Sequence, residues 1–136
     1  MRVRDLALFS DRAASEDIIR NIRRFYDDGI REDRCFTLLG FDGDYAAATA
    51  TIYFYKILPS NQNPQGTVGQ ITNVWVDEAY RRRGIAAYMV RRLMESARGR
   101  AGMLCLNSSR AAVGLYRFLG FKIKDNYLMY DMNGIG

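Results

Sequence analysis

Apolar residues recur every three to four positions near the start of the chain. Ile18, Ile19, Ile22, Phe25 and Tyr26 fall on one stripe and predict an amphipathic helix over residues 15–28. The pattern then shortens to that of extended chain. Cys35 to Phe41 and Ala46 to Leu58 predict a strand pair joined by the turn Asp42-Gly43-Asp44. Pro59 to Gly66, rich in Asn, Gln and Pro, predicts a loop, and Val68 to Val76 a strand that ends at the acidic pair Asp77-Glu78. A turn with three arginines and Gly84 opens a second helix reaching Arg98, with Ile85, Ala86, Met89, Val90, Leu93 and Ala97 on its core side. Met103 to Leu106 predicts a short buried strand. Ser109 is a good N-cap for a helix to Leu119, with Gly120 just past its end. Lys122 to Lys124 and Tyr127 to Met132 predict two last strands around Asp125-Asn126, whereas Met1 to Phe9 is too irregular to assign as a full first strand. Strands alternating with helices in the second half require parallel pairing in part of the sheet.

Composition narrows the class. A chain of 136 residues with 49% hydrophobic and 26% charged residues suits one globular domain spanning residues 1–136, with no repeat or low-complexity linker. The longest apolar stretch, Ala46 to Tyr55, is too short for a membrane span, and charge in Met1-Arg2-Val3-Arg4-Asp5 speaks against a secretory leader. Cys35 and Cys105 both sit in apolar runs, which predicts buried thiols and a reducing, cytoplasmic setting. The six methionines read as core filler. The absence of histidine removes Ser-His-Asp and Cys-His nucleophilic systems and the commonest zinc ligand. A general base must then be a carboxylate, a tyrosine, an amine or an ordered water.

Charge is placed unevenly. Residues 81–100 carry seven arginines against Glu95 alone, while residues 1–80 hold nine basic and twelve acidic groups. Such a cluster fits either an anionic partner or a solvated helix face. Gly84 and Ala86 lie where the second helix begins, and a helix N-terminus presents unpaired N–H groups and partial positive charge. Small residues let phosphate oxygens reach those groups, and flanking arginines add charge-assisted bonds. The physics gives a phosphate cradle, best suited to a diphosphate.

Arg81-Arg82-Arg83-Gly84-Ile85-Ala86 resembles the (Gln/Arg)-x-x-Gly-x-(Gly/Ala) element of the GNAT N-acetyltransferases. The six-residue pattern is weak alone; its context is specific. Asn73-Val74-Trp75-Val76, followed by an acidic turn and Tyr80, looks like the family's central strand, and Leu115-Tyr116-Arg117-Phe118-Leu119-Gly120-Phe121 resembles its closing motif. The likeness covers residues 68–132; residues 1–67 are compatible only through the helix and strand pair.

The resemblance implies a mixed α/β (α+β) GNAT fold: a central, strongly twisted, mostly antiparallel sheet with helices on both faces, whose fourth and fifth strands splay to admit the cofactor. It implies acetyl-CoA as cosubstrate, a primary amine as acceptor and no metal. Val74, Trp75 and Val76 would offer backbone groups to the pantetheine arm, and Arg81, Arg82, Arg83, Gly84, Ile85 and Ala86 would hold the pyrophosphate. Tyr116 matches the tyrosine that protonates the departing thiolate in many members. Ser109 stands where many relatives have Asn, and Asn107 is a substitute for that contact. Where several relatives place a glutamate base, this chain has Asn73, which can orient a water but accepts no proton at neutral pH. Asp77 and Glu78 read as solvated turn carboxylates. The acidic excess at Asp27, Asp28, Glu32, Asp33, Asp42 and Asp44 favours a cationic acceptor. A homodimer that completes the acceptor site is common in the family. The rival readings are a non-catalytic acetyl-CoA-binding regulatory domain and an arginine-rich nucleic-acid-binding module. The second lacks interleaved aromatics and any helix-turn-helix or RNP-type signature.

Overall fold

The computed structural model describes residues 15–133, so Met1 to Phe9 lies outside the described residues. The first helix, α1 (Glu16–Arg31), opens on Ser15, whose side chain accepts from the Ile18 N–H at 3.3 Å. Glu16 and Asp17 sit at its positive end and Arg31 in its last turn, each on the side the helix dipole favours. The helix continues past residue 28 to Arg31, and Gly29 lets it pack on Cys35: a Cβ at Gly29 would meet the Cys35 Cβ at 2.7 Å.

Strands β1 (Cys35–Asp42) and β2 (Tyr45–Lys56) form the antiparallel hairpin, and β3 (Thr67–Val76) pairs antiparallel with β2. Helix α2 (Ile85–Ser96) crosses over to β4 (Met103–Leu106), which runs parallel to β3, and α3 (Val113–Phe118) follows. The sheet order is β1-β2-β3-β4. β2 ends at Lys56, two residues before the predicted boundary, because the Ile57 N–H turns to the Gly66 carbonyl and closes the loop.

Period-two alternation along β2 builds two cores. Ala48, Ala50, Ile52 and Phe54 face α2, packing with Met89, Val90, Leu93, Ala97 and Tyr116. Thr51 and Tyr53 face α1, where Tyr26 and Cys35 are buried. Helices thus cover both faces of a mixed sheet, as expected.

Two features of β3 create the site. Its ladder to β4 ends at the pair Ile71↔Leu106, so Thr72 to Val76 run on without a β4 partner. The two parallel strands part beyond this pair, the splay that the resemblance implied. The register with β2 also slips: Thr49 faces Trp75 but Thr51 faces Thr72, so β3 carries one extra residue. Asn73, at a left-handed φ of 53°, is in that bulge.

Three expectations are corrected. Residues 122–124 and 127–132 are not strands: their backbones join no ladder, and Ile123, Tyr127, Leu128, Met129, Tyr130 and Met132 are exposed, so apolar burial does not offset the ordering of strands there. The predicted helix from Ser109 begins as a 3-10 turn at Arg110–Ala112, and Ser109 makes no side-chain cap. Its hydroxyl is absent from the cap because the tighter turn is closed by backbone, Ala112 N–H to Ser109 carbonyl. Of the methionines, Met89 is core, whereas Met103, Met129 and Met132 are exposed. Cys35 is buried and its thiol pKa is pushed up by desolvation; Cys105 is half-buried. Among the described residues no helix is long and apolar enough to cross a membrane.

Candidate active site

Two recesses open along the free end of β3. The first, of about 220 Å3, is lined by Val76, Arg81, Arg82, Gly84, Ile85 and Ala86, together with Tyr80, Ala87 and Leu115. Helix α2 starts here with Gly84 in the N-cap position at φ 78° and no side-chain cap, so its first N–H groups are left for a ligand. Arg82 is also left-handed, at φ 65°. Alternating backbone hands of this kind gather N–H groups into an anion-binding concavity. A Cβ at Gly84 would meet no protein atom within 4 Å, so the glycine keeps open a space that the protein does not fill.

The arginines divide their work. Arg81 Nε donates to the Val76 carbonyl at 3.0 Å, tying the loop to β3. Arg83 lines neither recess; its guanidinium lies 5.4 Å from the Tyr80 ring centre. Asp77 caps the 3-10 turn Glu78–Tyr80 by accepting from the Ala79 N–H, and it also accepts from the Tyr45 hydroxyl. Tyr80 donates to Asp42 at 2.6 Å, an interaction that raises its phenol pKa. Asp77 is therefore a structural acceptor and not the solvated turn carboxylate expected, whereas Glu78 is exposed as expected.

The second recess, of about 310 Å3, lies where β3 and β4 part. It brings together Asn73, Val74, Trp75, Asn107, Ser109 and Tyr116, with Gln70, Ile71, Thr72, Leu106 and Ala112 in the rest of its walls. Tyr116 is 8% exposed, with its ring edge-on to Phe121 at 6.0 Å. Burial pushes its phenol above the ordinary tyrosine range and keeps it protonated at neutral pH. Trp75 lines the recess and is not core. Among the described residues no carboxylate lines this recess, Asp27, Asp28, Glu32, Asp33, Asp42 and Asp44 included.

A polar chain under the bulge was not legible in the sequence. Asn73 Nδ2 donates to the Tyr26 hydroxyl at 3.0 Å, which pairs with Thr51 Oγ1 at 3.0 Å, and Thr51 pairs with Thr37 at 3.0 Å. Tyr26 stands 47 residues from Asn73, so no local spacing announces it. Its place on the predicted apolar stripe of α1 was the one available signal. Removing the hydroxyl from this buried group is expected to destabilise the protein. Tyr26→Phe should lower stability by about 1–3 kcal/mol in urea denaturation. An unchanged midpoint would show that the chain does not hold the bulge.

The model of the acetyltransferase (GNAT) family matches residues 3–121. No curated protein matches the chain. Among solved structures, a predicted acetyltransferase from Clostridium acetobutylicum, crystallised with acetyl-CoA, is 24% identical, with TM-score 0.89 over 96% of this chain and 90% of that one. A GCN5-related N-acetyltransferase from Ralstonia eutropha JMP134 is 18% identical, with TM-score 0.77 over 96% and 89%. Glucosamine-6-phosphate N-acetyltransferase from Arabidopsis thaliana is 19% identical, with TM-score 0.72 over 96% and 90%. At these identities the structural likeness shows a common fold.

Proposed function

The chain belongs to the GNAT acetyltransferase family, and from that membership we propose that it moves an acetyl group from acetyl-CoA to a primary amine by direct attack in a ternary complex. The observation that carries this reading is the pairing of the two recesses. Both are walled by β3 on one side and α3 on the other, Val76 and Leu115 in the first, Val74, Trp75 and Tyr116 in the second. A ligand with its diphosphate on the α2 N-terminus and its arm along Val74 to Val76 reaches Tyr116. The Clostridium protein of the same fold was crystallised with acetyl-CoA, which supports that occupant.

The chemistry then divides among the chain's own groups. The Gly84–Ala86 N–H groups and the Arg81–Arg83 loop hold the diphosphate, and backbone groups of Val74, Trp75 and Val76 align the arm. Holding donor and acceptor together supplies proximity, and a backbone N–H near Val76 stabilises the developing oxyanion. Asn73, held by Tyr26, orients the water through which the ammonium proton passes to solvent before attack. The C–N bond forms as the C–S bond breaks, Tyr116 gives its proton to the leaving thiolate, and the second proton shed by the nitrogen restores the phenol; Asn107 and Ser109 steady the arm near α3. No metal is required by this scheme.

Calorimetric titration with acetyl-CoA, followed by a CoA-release assay over polyamines, aminoglycosides, lysine peptides and peptide N-termini, tests the reading. Saturable acetyl-CoA binding with release stimulated by at least one amine is expected. Absence of acetyl-CoA binding overturns it. The neutral wall of the second recess predicts that raising ionic strength to 0.5 M changes the acceptor KM by less than about threefold, since a screened ion pair is not what holds the amine. A steep salt dependence would restore the role of the acidic excess.

A further inference from the structure

The helical wall of the first recess is made by Ile85, Ala86 and Ala87 of α2 and by Leu115 of α3. One turn further along each helix stand Arg91 and Phe118. The Arg91 guanidinium carbon lies 5.8 Å from the centre of the Phe118 ring, bridging the two helices. Phe118 is 75% exposed and Tyr88, on the same stretch of α2, is 65% exposed. A phenyl ring left in water beside a phosphate recess forgoes the stabilisation its burial would bring. Its face and the cation stacked on it form a surface suited to a flat base that carries an anion.

The geometry points to Arg91 and Phe118 as the platform for the adenosine 3′-phosphate end of acetyl-CoA, with adenine on Phe118 and the 3′-phosphate on Arg91. This rests on the acetyl-CoA reading above. If the diphosphate occupies the Gly84–Ala86 cradle and the pantetheine arm runs along Val74 to Val76, the nucleoside leaves the recess away from β3. The walls on that side are α2 and α3, and Arg91–Phe118 is an aromatic and cationic pair that spans these two helices. Neighbouring Arg92 and Arg117 are exposed and add positive potential to the same ends of the helices.

Three ligands separate the contributions: acetyl-CoA, 3′-dephospho-acetyl-CoA and acetyl-4′-phosphopantetheine, each titrated calorimetrically against wild type, Arg91→Gln, Arg91→Lys and Phe118→Ala. Wild type is expected to favour acetyl-CoA over the dephospho form by about tenfold, the size of one charge-assisted contact. Arg91→Gln should erase that preference without weakening the dephospho ligand, and Arg91→Lys should restore part of it. Phe118→Ala should weaken both nucleotide ligands by about fivefold or more through lost stacking. All four proteins should bind acetyl-4′-phosphopantetheine alike. Wild type binding acetyl-CoA well while the variants stay within twofold of it overturns the platform and leaves the enzyme reading standing. A variant that weakens acetyl-4′-phosphopantetheine equally also overturns it, since the effect then is not at the nucleoside. Wild type binding none of the three overturns both. Both side chains are exposed, so thermal melts of the variants should match wild type.

Discussion

Gly84→Val is expected to weaken acetyl-CoA binding about a hundredfold, some 2.7 kcal/mol, while the protein still folds. Two costs add. A branched residue at φ 78° bears about 1–2 kcal/mol of backbone strain, which a thermal melt should register as a drop of several degrees. The larger cost falls on the ligand. No protein atom would meet a Cβ at this position, so the new methyls project into the cradle and compete with the diphosphate instead of with the core. Each charge-assisted hydrogen bond so lost is worth about 1.5–3 kcal/mol. Gly84→Ala separates the terms, bearing most of the strain with little of the obstruction, and should fall between. Calorimetric dissociation constants within threefold of wild type for the valine variant would mean that the diphosphate does not sit on this helix end.

Tyr116→Phe should cut kcat about a hundredfold, the lower range for loss of a positioned acid, and leave the acetyl-CoA dissociation constant within about twofold. The ring stays, so its edge-on packing with Phe121 is kept. The pH profile carries a second signature. Desolvation raises the Tyr116 pKa, so the acid form persists through the physiological range. Wild-type turnover should fall only as pH rises past the ordinary tyrosine value of about 10, and the Phe variant should lack that alkaline limb. The linkage has the same sign: with its folded pKa raised, the stability Tyr116 contributes is complete below the unfolded pKa and is lost as pH climbs through the folded one. Undiminished kcat would remove Tyr116 as the acid. A protein that binds acetyl-CoA but turns over no amine, in wild type and variant alike, would favour the regulatory-domain reading.

What the sequence showed, and what it hid, follow from the range of the interactions. Elements ordered by local periodicity and turns were legible: α1 from its Ile-rich stripe, the hairpin from its turn, α2 from Gly84 onward. The recess at the start of α2 was legible too, since the residues that line it are mostly contiguous. All of the residues expected there but Arg83 line it, and Arg83 was drawn off by the Tyr80 ring, a contact that spacing does not specify. Long-range effects were hidden. Nothing near Asn73 announces its bond to Tyr26, and the end strands failed because alternation alone cannot supply a neighbour for residues 127–132 to pair with. The carboxylates of the N-terminal half looked relevant by count, yet folding sends none of those described to the wall of the second recess.

The bulge at Asn73 makes β3 behave like two messages spliced out of phase. Before it, odd-numbered Gly69 and Ile71 meet the α2 core; after it, even-numbered Val74 and Val76 do. Deleting one residue there would not merely shorten the strand. It would restore a single phase with Val74 and Val76 still on the core side and Trp75 still opposite Thr49, but it would erase the extra residue that carries Asn73 to Tyr26. Substitutions at Asn73 can therefore be graded, but the length of β3 cannot: for an engineer or for evolution, the number of residues between Ile71 and Val76 is itself a functional constraint.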